Sequence, residues 1–454
     1  MLAPTLTSED AVQAIEQLGQ QIEAEYAAAQ YDSRALPQIA CAALRAAAPH
    51  RWFSLEHMIR WYLCAPQVPA QGREASFGEP PLTLFVGRRF FIEALTWMDG
   101  TTSIHRHGFS GAFSVMQGGS LHTQYRFAVR QVVNQHLQLG ALHAAEPELL
   151  RVGDTRAIVS GDGLVHSLFH LERPSVTLVV RSYFDPDAAP QLTYWRPGVA
   201  LDPFYRDDRL PRLQQLLTAA YQARLPERAM LAREFLQTAD LHSSILVLQQ
   251  LLGVAADETT ALVELVMERH GALASELPLF LAEQQRERQI VHWRKEAHAP
   301  AHRLLLALVL NVDDREQILR LVREEFPGAD PIELIVKWVG EMSPPSQPGA
   351  AAHALSYELG ELELRVFRDL LLLRSEEQIL ASLAQELDLD GQEAEVRQLC
   401  AALRVAPPFR PLLRPGRWRA ERRPALDATR PFAPLSPSFC RANTLCGSSV
   451  LWVT

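Results

Sequence analysis

Hydrophobic positions at helical spacing open the chain. Between residues 8 and 64, apolar side chains recur every three or four positions, which is typical of amphipathic helices. Ser8 is a suitable N-terminal cap for the first helix, and further helices are predicted over 36–48 and 55–63. A polar connector rich in Pro and Gly follows, so residues 1–80 are predicted to form a helical N-terminal segment that packs on the next region.

The pattern changes between 82 and 200. Short runs of β-branched and aromatic residues alternate there with Gly, Asp and Pro, which is typical of strands joined by tight turns. Many short strands at close spacing predict an antiparallel β-barrel of the jelly-roll kind over 81–204. The runs are LTLFVG, RFFIEALTWM, TSIHRH, AFSVMQ, SLHTQYRF, TRAIVS, LVHSLFHL and SVTLVVRSYF.

Helical spacing returns over 205–405, together with a weak internal repeat. Similar stretches begin near Ile245, Ile318 and Ile379, and the last two share the tetrapeptide EQIL. These stretches predict stacked helical hairpins, although amphipathic helices can resemble one another by chance. The chain as a whole is therefore predicted to be a multi-domain α+β protein with an all-α C-terminal domain.

The last segment, 406–454, has neither a helical nor a strand period. Proline and arginine are frequent in it, which predicts a largely disordered tail. Its basic patch could contact an acidic partner, but a solvated tail is the simpler interpretation.

Composition narrows the functional classes. The chain has 454 residues, 48% of them hydrophobic, with a formal net charge of −9. A mildly acidic protein offers no general electrostatic reason to bind nucleic acid or an anionic membrane. We find no signal peptide and no apolar run of transmembrane length. Five cysteines without a CxxC pair fit a reducing cytoplasm.

Two histidines in the strand-rich region indicate metal chemistry. Alternate residues of a strand face the same side, so His105 and His107 point one way. Two imidazoles on one face are a good start for a transition-metal site, although an isolated HxH is often incidental. A second segment, from Gly153 to His166, has glycine turns around a short strand and ends in a histidine.

These two segments resemble the two signature motifs of the cupin superfamily. The resemblance rests on GTTSIHRHGFSGAFSVMQG and GDTRAIVSGDGLVH and covers residues 82–185. It implies that the metal ligands are His105, His107 and His166. The glutamate ligand of many cupins would fall at Gly111 or Ala112, so the resemblance implies a site of three histidines.

Within the cupins, TSIHRHG followed by AFSVMQG resembles the thiol dioxygenase branch, represented by cysteine dioxygenase. This implies Fe(II), with another divalent transition metal as the alternative, and a small-molecule thiol that dioxygen oxidises to a sulfinate. The chain departs from the family at two places. Ala112 replaces the cysteine that some members crosslink to a tyrosine. Thr177, Val179 and Arg181 replace the Ser-x-His-x-Tyr run, so the substrate is expected to be anionic but not necessarily cysteine.

Several further side chains could lie near the metal. The arginines could pair a substrate carboxylate, and the histidine and tyrosines could act in proton transfer or orientation. Each also has a plainer interpretation, as a strand-edge arginine or a rim histidine. The catalytic candidates are Arg181, Tyr183 and His170, and the substrate-binding candidates are Arg88, Arg89 and Tyr125.

The leading hypothesis is a metal-dependent, non-haem iron cupin oxygenase that acts on a small anionic substrate. The main alternative is a non-enzymatic cupin that senses a ligand and docks a partner protein through its helices. A third hypothesis is a biosynthetic tailoring enzyme whose helices hold a carrier or peptide substrate. Walker, Rossmann, HExxH and GxSxG motifs are absent from the sequence.

Overall fold

The described part of the chain contains three groups of elements: N-terminal helices, antiparallel sheets and C-terminal helices. No helix in this part is both long and apolar enough to cross a membrane. The computed structural model describes residues 7–65, 67–71, 78–100, 103–183, 185, 190–205, 207–343, 359–385 and 393–413.

The N-terminal helices form where the apolar spacing predicts them. They are α1 (Ser8–Ala28), α2 (Leu36–Ala47) and α3 (Leu55–Cys64). The cap of α1 is Thr7 rather than Ser8, because the helix begins one residue earlier than expected. The Thr7 hydroxyl accepts a hydrogen bond from the backbone N–H three residues on, which satisfies one of the free donors of the first turn.

The strands form two antiparallel sheets. The first sheet has the order β1-β2-β10-β4-β8, and the second has the order β6-β12-β11-β3-β9-β5-β7. Antiparallel strands agree with the predicted fold class, but the pairing of the described residues gives two separate sheets rather than one closed barrel. The strands are β1 (Pro81–Val86), β2 (Phe90–Trp97), β3 (Ile104–Arg106), β4 (Gly111–Gln117), β5 (Ser120–Asn134), β6 (Leu137–Ala144), β7 (Glu148–Leu150), β8 (Thr155–Ile158), β9 (Val165–His170), β10 (Ser175–Ser182), β11 (Thr193–Trp195) and β12 (Val199–Leu201).

The two faces of the first sheet serve different cores. Ile92 and Leu178 point outward and pack with apolar residues of α1 and α2. Their neighbours along the strands, such as Leu95 and Val179, point inward and pack with Leu168 of the second sheet. Because side chains alternate along a strand, this assigns an inward or outward direction to every residue of β2, β4, β9 and β10.

Helices cover the outer face of the second sheet. Leu121 and Phe169 share one buried core with α8 to α14, while Leu137 and Val199 share another with α4 to α8. The helices are α4 (Leu210–Gln222), α5 (Arg228–Leu236), α6 (Leu241–Leu252), α7 (Ala256–His270), α8 (Leu277–Glu296), α9 (Pro300–Asn311), α10 (Arg315–Glu325), α11 (Pro331–Met342), α12 (Glu361–Leu371), α13 (Glu376–Ala384), α14 (Glu393–Val405) and α15 (Arg410–Leu413).

The three stretches of the weak repeat each contain two consecutive helices. They correspond to α6–α7, α10–α11 and α13–α14. The first pair packs in one of the two cores and the other two pairs pack in the other. A regular solenoid therefore stays a prediction, and so does an independent helical domain, because both cores also contain residues of the sheet.

The beginning of the predicted tail is ordered. A short 3-10 turn, Pro407–Phe409, leads into α15. Phe409 and Leu412 are buried in the core that contains α9. Apolar side chains next to the prolines thus allow packing where the composition alone predicted disorder. The rest of the predicted tail, 414–454, lies outside the described residues.

A buried network of charges joins the second sheet to the helices. Arg196, just after β11, pairs with Asp313 at 3.0 Å, and Glu283 of α8 pairs with Arg286 at 2.5 Å and with Arg410 at 2.7 Å. Burial opposes the charge of Glu283, but the arginines outweigh it and lower its pKa to about 2.

Glu287 lies one turn further along α8, and its pKa is shifted in the opposite direction from that of Glu283. Burial and the nearby charge of Glu283 raise its pKa from its ordinary value of 4.5 to about 7, although Arg286, Arg196 and Arg288 oppose the shift. The folded state therefore binds this proton more tightly than the unfolded state does. Its contribution to stability is present below the unfolded pKa and falls as the pH rises through the window between 4.5 and about 7.

Glu287→Gln should flatten the pH dependence of stability. Between about pH 5 and about pH 8, we expect the free energy of unfolding of the variant to fall by on the order of 1–3 kcal/mol less than that of the wild type. Urea denaturation at a series of pH values measures this difference. Glu264→Gln, which changes an exposed carboxylate of α7, should keep the wild-type dependence. Parallel curves for Glu287→Gln and the wild type would contradict the raised pKa.

Candidate metal centre

The register between β3 and β9 brings the three predicted histidines together. His105 lies directly opposite His166 in this antiparallel pair, and His107 follows β3 with the same inward parity as His105. The possible ligand atoms of the three side chains all lie within 4.8 Å of one another. All three residues are buried. The structure thus places His105, His107 and His166 in one cluster between the sheets.

The nitrogen positions fit a metal ion. Nε2 of His107 and Nε2 of His166 lie 2.9 Å apart. Two ligands at a right angle on a metal with bonds of about 2.1 Å would be separated by about 3.0 Å. Nδ1 of His105 donates to the carbonyl oxygen of Ser103 at 2.8 Å, which leaves its Nε2 unprotonated. Nδ1 of His107 is buried and has no hydrogen-bond partner among the described residues.

Burial keeps the imidazoles neutral. It lowers the pKa of His105, and it lowers the pKa values of His107 and His166 well below their usual range. The mutual repulsion of the rings acts in the same direction, and Arg181 adds to it at His107. Neutral imidazoles have lone pairs, as metal ligation requires.

A carboxylate ligand is excluded from the positions where the family resemblance would put it. At Gly111, φ is +157°, and an added Cβ would lie 1.9 Å from the carbonyl oxygen of Val180. Ala112 faces outward and is fully buried against the N-terminal helices. A glutamate at either position could not reach the histidines without moving a strand. Among the described residues, the cluster therefore consists of histidine alone.

Arg181 of β10 points inward and lies beside the cluster. Its Nη1 is 3.2 Å from Oε1 of Glu93 on β2, and its guanidinium carbon is 3.7 Å from the ring centre of Phe109. The same phenylalanine ring lies 4.5 Å from the ring of His107. Burial raises the pKa of Glu93 and lowers that of Arg181, and the attraction of the pair opposes both shifts only in part.

A chain of hydrogen bonds leads from the cluster to the edge of the second sheet. Nδ1 of His166 lies 3.0 Å from Nε2 of His122, and Nδ1 of His122 lies 2.8 Å from Oε1 of Glu148. Arg156 pairs with the other carboxylate oxygen at 2.6 Å. Hydrogen bonds from His122 and Arg156 lower the pKa of Glu148 to about 2.

His170 points inward but belongs to the opposite end of β9. Four residues of a strand separate it from His166, or about 13 Å. Its ring stacks on Trp97 at 4.6 Å, and its Nδ1 lies 2.9 Å from the hydroxyl of Ser120. The structure therefore separates His170 from the three histidines, because strand parity gives the face of the sheet but not the distance along it. Its catalytic role stays a prediction.

The candidates at the turn between β1 and β2 also lie away from the cluster. Arg88 and Arg89 are exposed, with their guanidinium carbons 5.5 and 5.7 Å from the ring centre of Tyr31. Tyr183 is 50% exposed and donates to the carbonyl oxygen of Gly87 at 3.2 Å. These three residues form contacts at the outer edge of the first sheet, so the structure does not support their predicted roles.

Tyr125 lies on the opposite face of the second sheet from His166. Its hydroxyl is 3.4 Å from that of Ser167, and its ring lies under the guanidinium of Arg196 at 5.7 Å. The register of β5 directs this side chain toward the helices and away from the three histidines. Its role in substrate binding stays a prediction. The residue of this strand that lies beside His166 is instead His122.

His122, Glu148 and Glu93 are the site residues that the sequence analysis did not select. Glu93 could have been found as the one charge in the apolar run FFIEALTW. The other two could not, since their proximity depends on the pairing of three strands that are distant in sequence. His122 lies directly opposite Glu148 across β5 and β7, while β5 also pairs with β9.

Comparison with known proteins gives weak matches only. No family model matches the chain, and no curated protein matches it. It is similar to a chain from crystal structures of the DMSP lyases RdDddP and RnDddQII, with 18% identity over 39% of this chain and 94% of that chain and a TM-score of 0.21. An oxalate oxidase structure shows 15% identity over 34% and 71% of the chains, with a TM-score of 0.19. The structure of recombinant oxalate oxidase in complex with glycolate shows 17% identity over 34% of this chain and 74% of that chain, with a TM-score of 0.19. Such low scores carry no argument about this chain.

Gly111→Ala tests the close approach of β4 and β10 that closes the site on this side. Because the added methyl group would meet the backbone of Val180, we expect a loss of roughly 1–3 kcal/mol in the free energy of unfolding. Gly253→Ala, where the added atom meets only ordinary contacts, should be neutral. Equal stability of the two variants in urea denaturation would contradict the strand geometry.

Proposed function

We propose that this protein is a metal-dependent oxygenase of the cupin type, with Fe(II) at His105, His107 and His166, that acts on a small anionic substrate. One observation carries the proposal. Three buried, neutral imidazoles converge within 4.8 Å on the inner face of a sheet, and no carboxylate of the described residues belongs to the cluster. A metal held by three protein ligands keeps positions open for other groups.

The charges around the cluster support an anionic substrate. The imidazoles are neutral, and Glu93 and Arg181 form a pair whose charges cancel. A divalent ion at the histidines would therefore keep its full positive charge in a buried environment. Anionic groups of a substrate, such as a carboxylate or a thiolate, are the natural ligands for such an ion.

Two aromatic rings limit the space beside the cluster. The ring of Phe109 lies 4.5 Å from that of His107, and the ring of Phe113 lies 6.2 Å from that of His166. These rings present apolar surface beside the cluster, which favours a small substrate. Arg181 would orient an anionic group of the substrate, because its Nε is buried and has no partner among the described residues.

These contacts indicate which roles the metal and the side chains would have. When bound, iron would supply the redox chemistry with dioxygen that side chains cannot perform. The histidines would hold it, the Phe109 and Phe113 rings would exclude water, and Arg181 would hold the substrate against the rings. Glu93 would keep the Arg181 guanidinium in place.

The sensing alternative also has a specific observation in its favour. Ser167, adjacent to His166 on the outer face of β9, donates to the side chain of Asn311 in α9 at 3.0 Å. A ligand that displaced His166 would thereby act on the helices. Oxygen consumption with a panel of thiols and small acids separates the hypotheses, because a sensor would bind a ligand without consuming oxygen.

Metal analysis of the purified protein tests the site itself. After reconstitution under reducing conditions, we expect about one equivalent of metal in the wild type and none in His105→Ala. His143→Ala, which changes an exposed histidine, should keep the wild-type content. Less than roughly a tenth of an equivalent of iron, manganese, nickel or zinc in the wild type would disprove the proposal.

Substitutions of the Arg181–Glu93 pair should change anion affinity in opposite directions. Azide titrations of the Co(II)-loaded protein, followed by visible absorption, measure this affinity. Arg181→Gln removes a donor whose charged hydrogen bond contributes ~1.5–3 kcal/mol, so we expect azide to bind roughly 10–100-fold more weakly. Glu93→Gln removes the competing carboxylate and should strengthen binding. Shifts of the same sign in both variants would show that the pair is only structural.

A further inference from the structure

We propose that His122 and Glu148 are positioning residues that hold His166 in the one tautomer whose Nε2 can ligate the metal. The inference rests on the proposed function for its metal, but the arrangement itself belongs to the protein. The four groups His166, His122, Glu148 and Arg156 form a continuous chain across β9, β5, β7 and β8.

The chain begins at a group that can only accept hydrogen bonds. Glu148 is ionised at neutral pH, and Arg156 donates to both of its oxygens, at 3.0 Å to Oε1 and at 2.6 Å to Oε2. Oε1 of Glu148 also lies 2.8 Å from Nδ1 of His122, so that nitrogen carries a proton. A His122 ring with this one N–H presents the lone pair of Nε2 as an acceptor.

The next contact transmits this constraint to the cluster. Nδ1 of His166 lies 3.0 Å from Nε2 of His122 and is the donor in this arrangement. A neutral imidazole has a single N–H, so Nε2 of His166 carries a lone pair. This is the nitrogen that faces His107 at 2.9 Å, inside the cluster. The carboxylate thus determines, across two rings, which nitrogen of His166 is available to a metal.

The three ligand histidines differ in this respect. His105 is held by the carbonyl of Ser103, which imposes the same Nδ1–H tautomer. In the metal-free protein, His107 must donate from Nε2, because Nε2 of His166 can only accept. That leaves Nδ1 of His107 without a partner, as observed among the described residues. Metal binding therefore requires a change of tautomer at His107 but not at His105 or His166.

The arrangement also makes His166 the strongest donor of the three. Here the ligand His166 donates to His122, and His122 donates to the Glu148 carboxylate. Hydrogen bonds of this kind increase the electron density on the nitrogen that ligates the metal. His105 has only a neutral carbonyl behind it, and His107 has nothing behind it among the described residues. Loss of such an outer partner lowers metal affinity by about 10–100-fold in known sites.

The tautomers are measurable in the metal-free protein by long-range proton–nitrogen NMR of histidine-labelled chain. We expect the Nδ1–H form for His122, His166 and His105 and the Nε2–H form for His107. Saturation with Zn(II) should convert only His107. An Nε2–H tautomer at His166 in the metal-free chain would contradict the proposed role of His122 and Glu148, whether or not the protein binds metal.

Zn(II) affinity, measured by competition with a chelator, gives the second readout. We expect a loss of about tenfold in Glu148→Gln and of about 10–100-fold in His122→Phe, with a shifted visible spectrum for the Co(II) forms of both. Glu148→Gln changes a residue at the sheet edge and guards against misfolding of the more buried His122→Phe. Glu146→Gln, at an exposed glutamate two residues away, should match the wild type.

The two proposals fail in different ways. If the wild type takes up no metal but shows the expected tautomers, the proposed metal function is wrong and the proposed positioning role of His122 and Glu148 is kept. If the wild type, Glu148→Gln and His122→Phe bind Zn(II) with equal affinity, the metal site is kept and the positioning role is wrong.

Discussion

The pairing of β3 with β9 is the contact on which the site depends. It sets His105 opposite His166, and the alternation of side chains then directs His107 into the same space. A shift of one residue in this register would turn the ligands of one strand toward the helices. The flanking strands, the glycine at the start of β4 and the apolar core between the sheets all act to hold that register.

Burial gives the cluster its chemical character. Apolar residues such as Leu168 and Val179 fill the space between the sheets, so every polar group there must be paired or neutral. The imidazoles are neutral, Arg181 pairs with Glu93, and His122 bridges to Glu148. Nδ1 of His107 and Nε of Arg181 have no hydrogen-bond partner among the described residues, and a buried polar group without a partner costs about 1–3 kcal/mol. Unpartnered polar atoms of this kind lower the stability of the fold, and we expect them where a binding site needs them for its ligand.

Parity and turn chemistry predict only part of this arrangement from sequence. Strand alternation correctly pairs His105 with His107, and the glycine turns before His166 indicate the partner strand. The same reasoning misplaces Tyr125, because a period of two gives two faces and only the register selects one. It cannot locate Glu148 at all, since that residue reaches the site through pairing across β5. Distance along a strand likewise separates His170 from the ligands.

Strand β9 connects the histidine cluster to the C-terminal helices. The inner face of this strand holds His166, while Ser167 and Phe169 on its outer face pack against α9 and its neighbours. At the far end, Arg303 of α9 donates to the backbone oxygens of His170 and Leu171. Both ends of the strand are therefore tied to the same helix. The strand of His105 pairs with β9 on one side and with β11 on the other. The helical region is thus part of the structure that sets the ligand geometry.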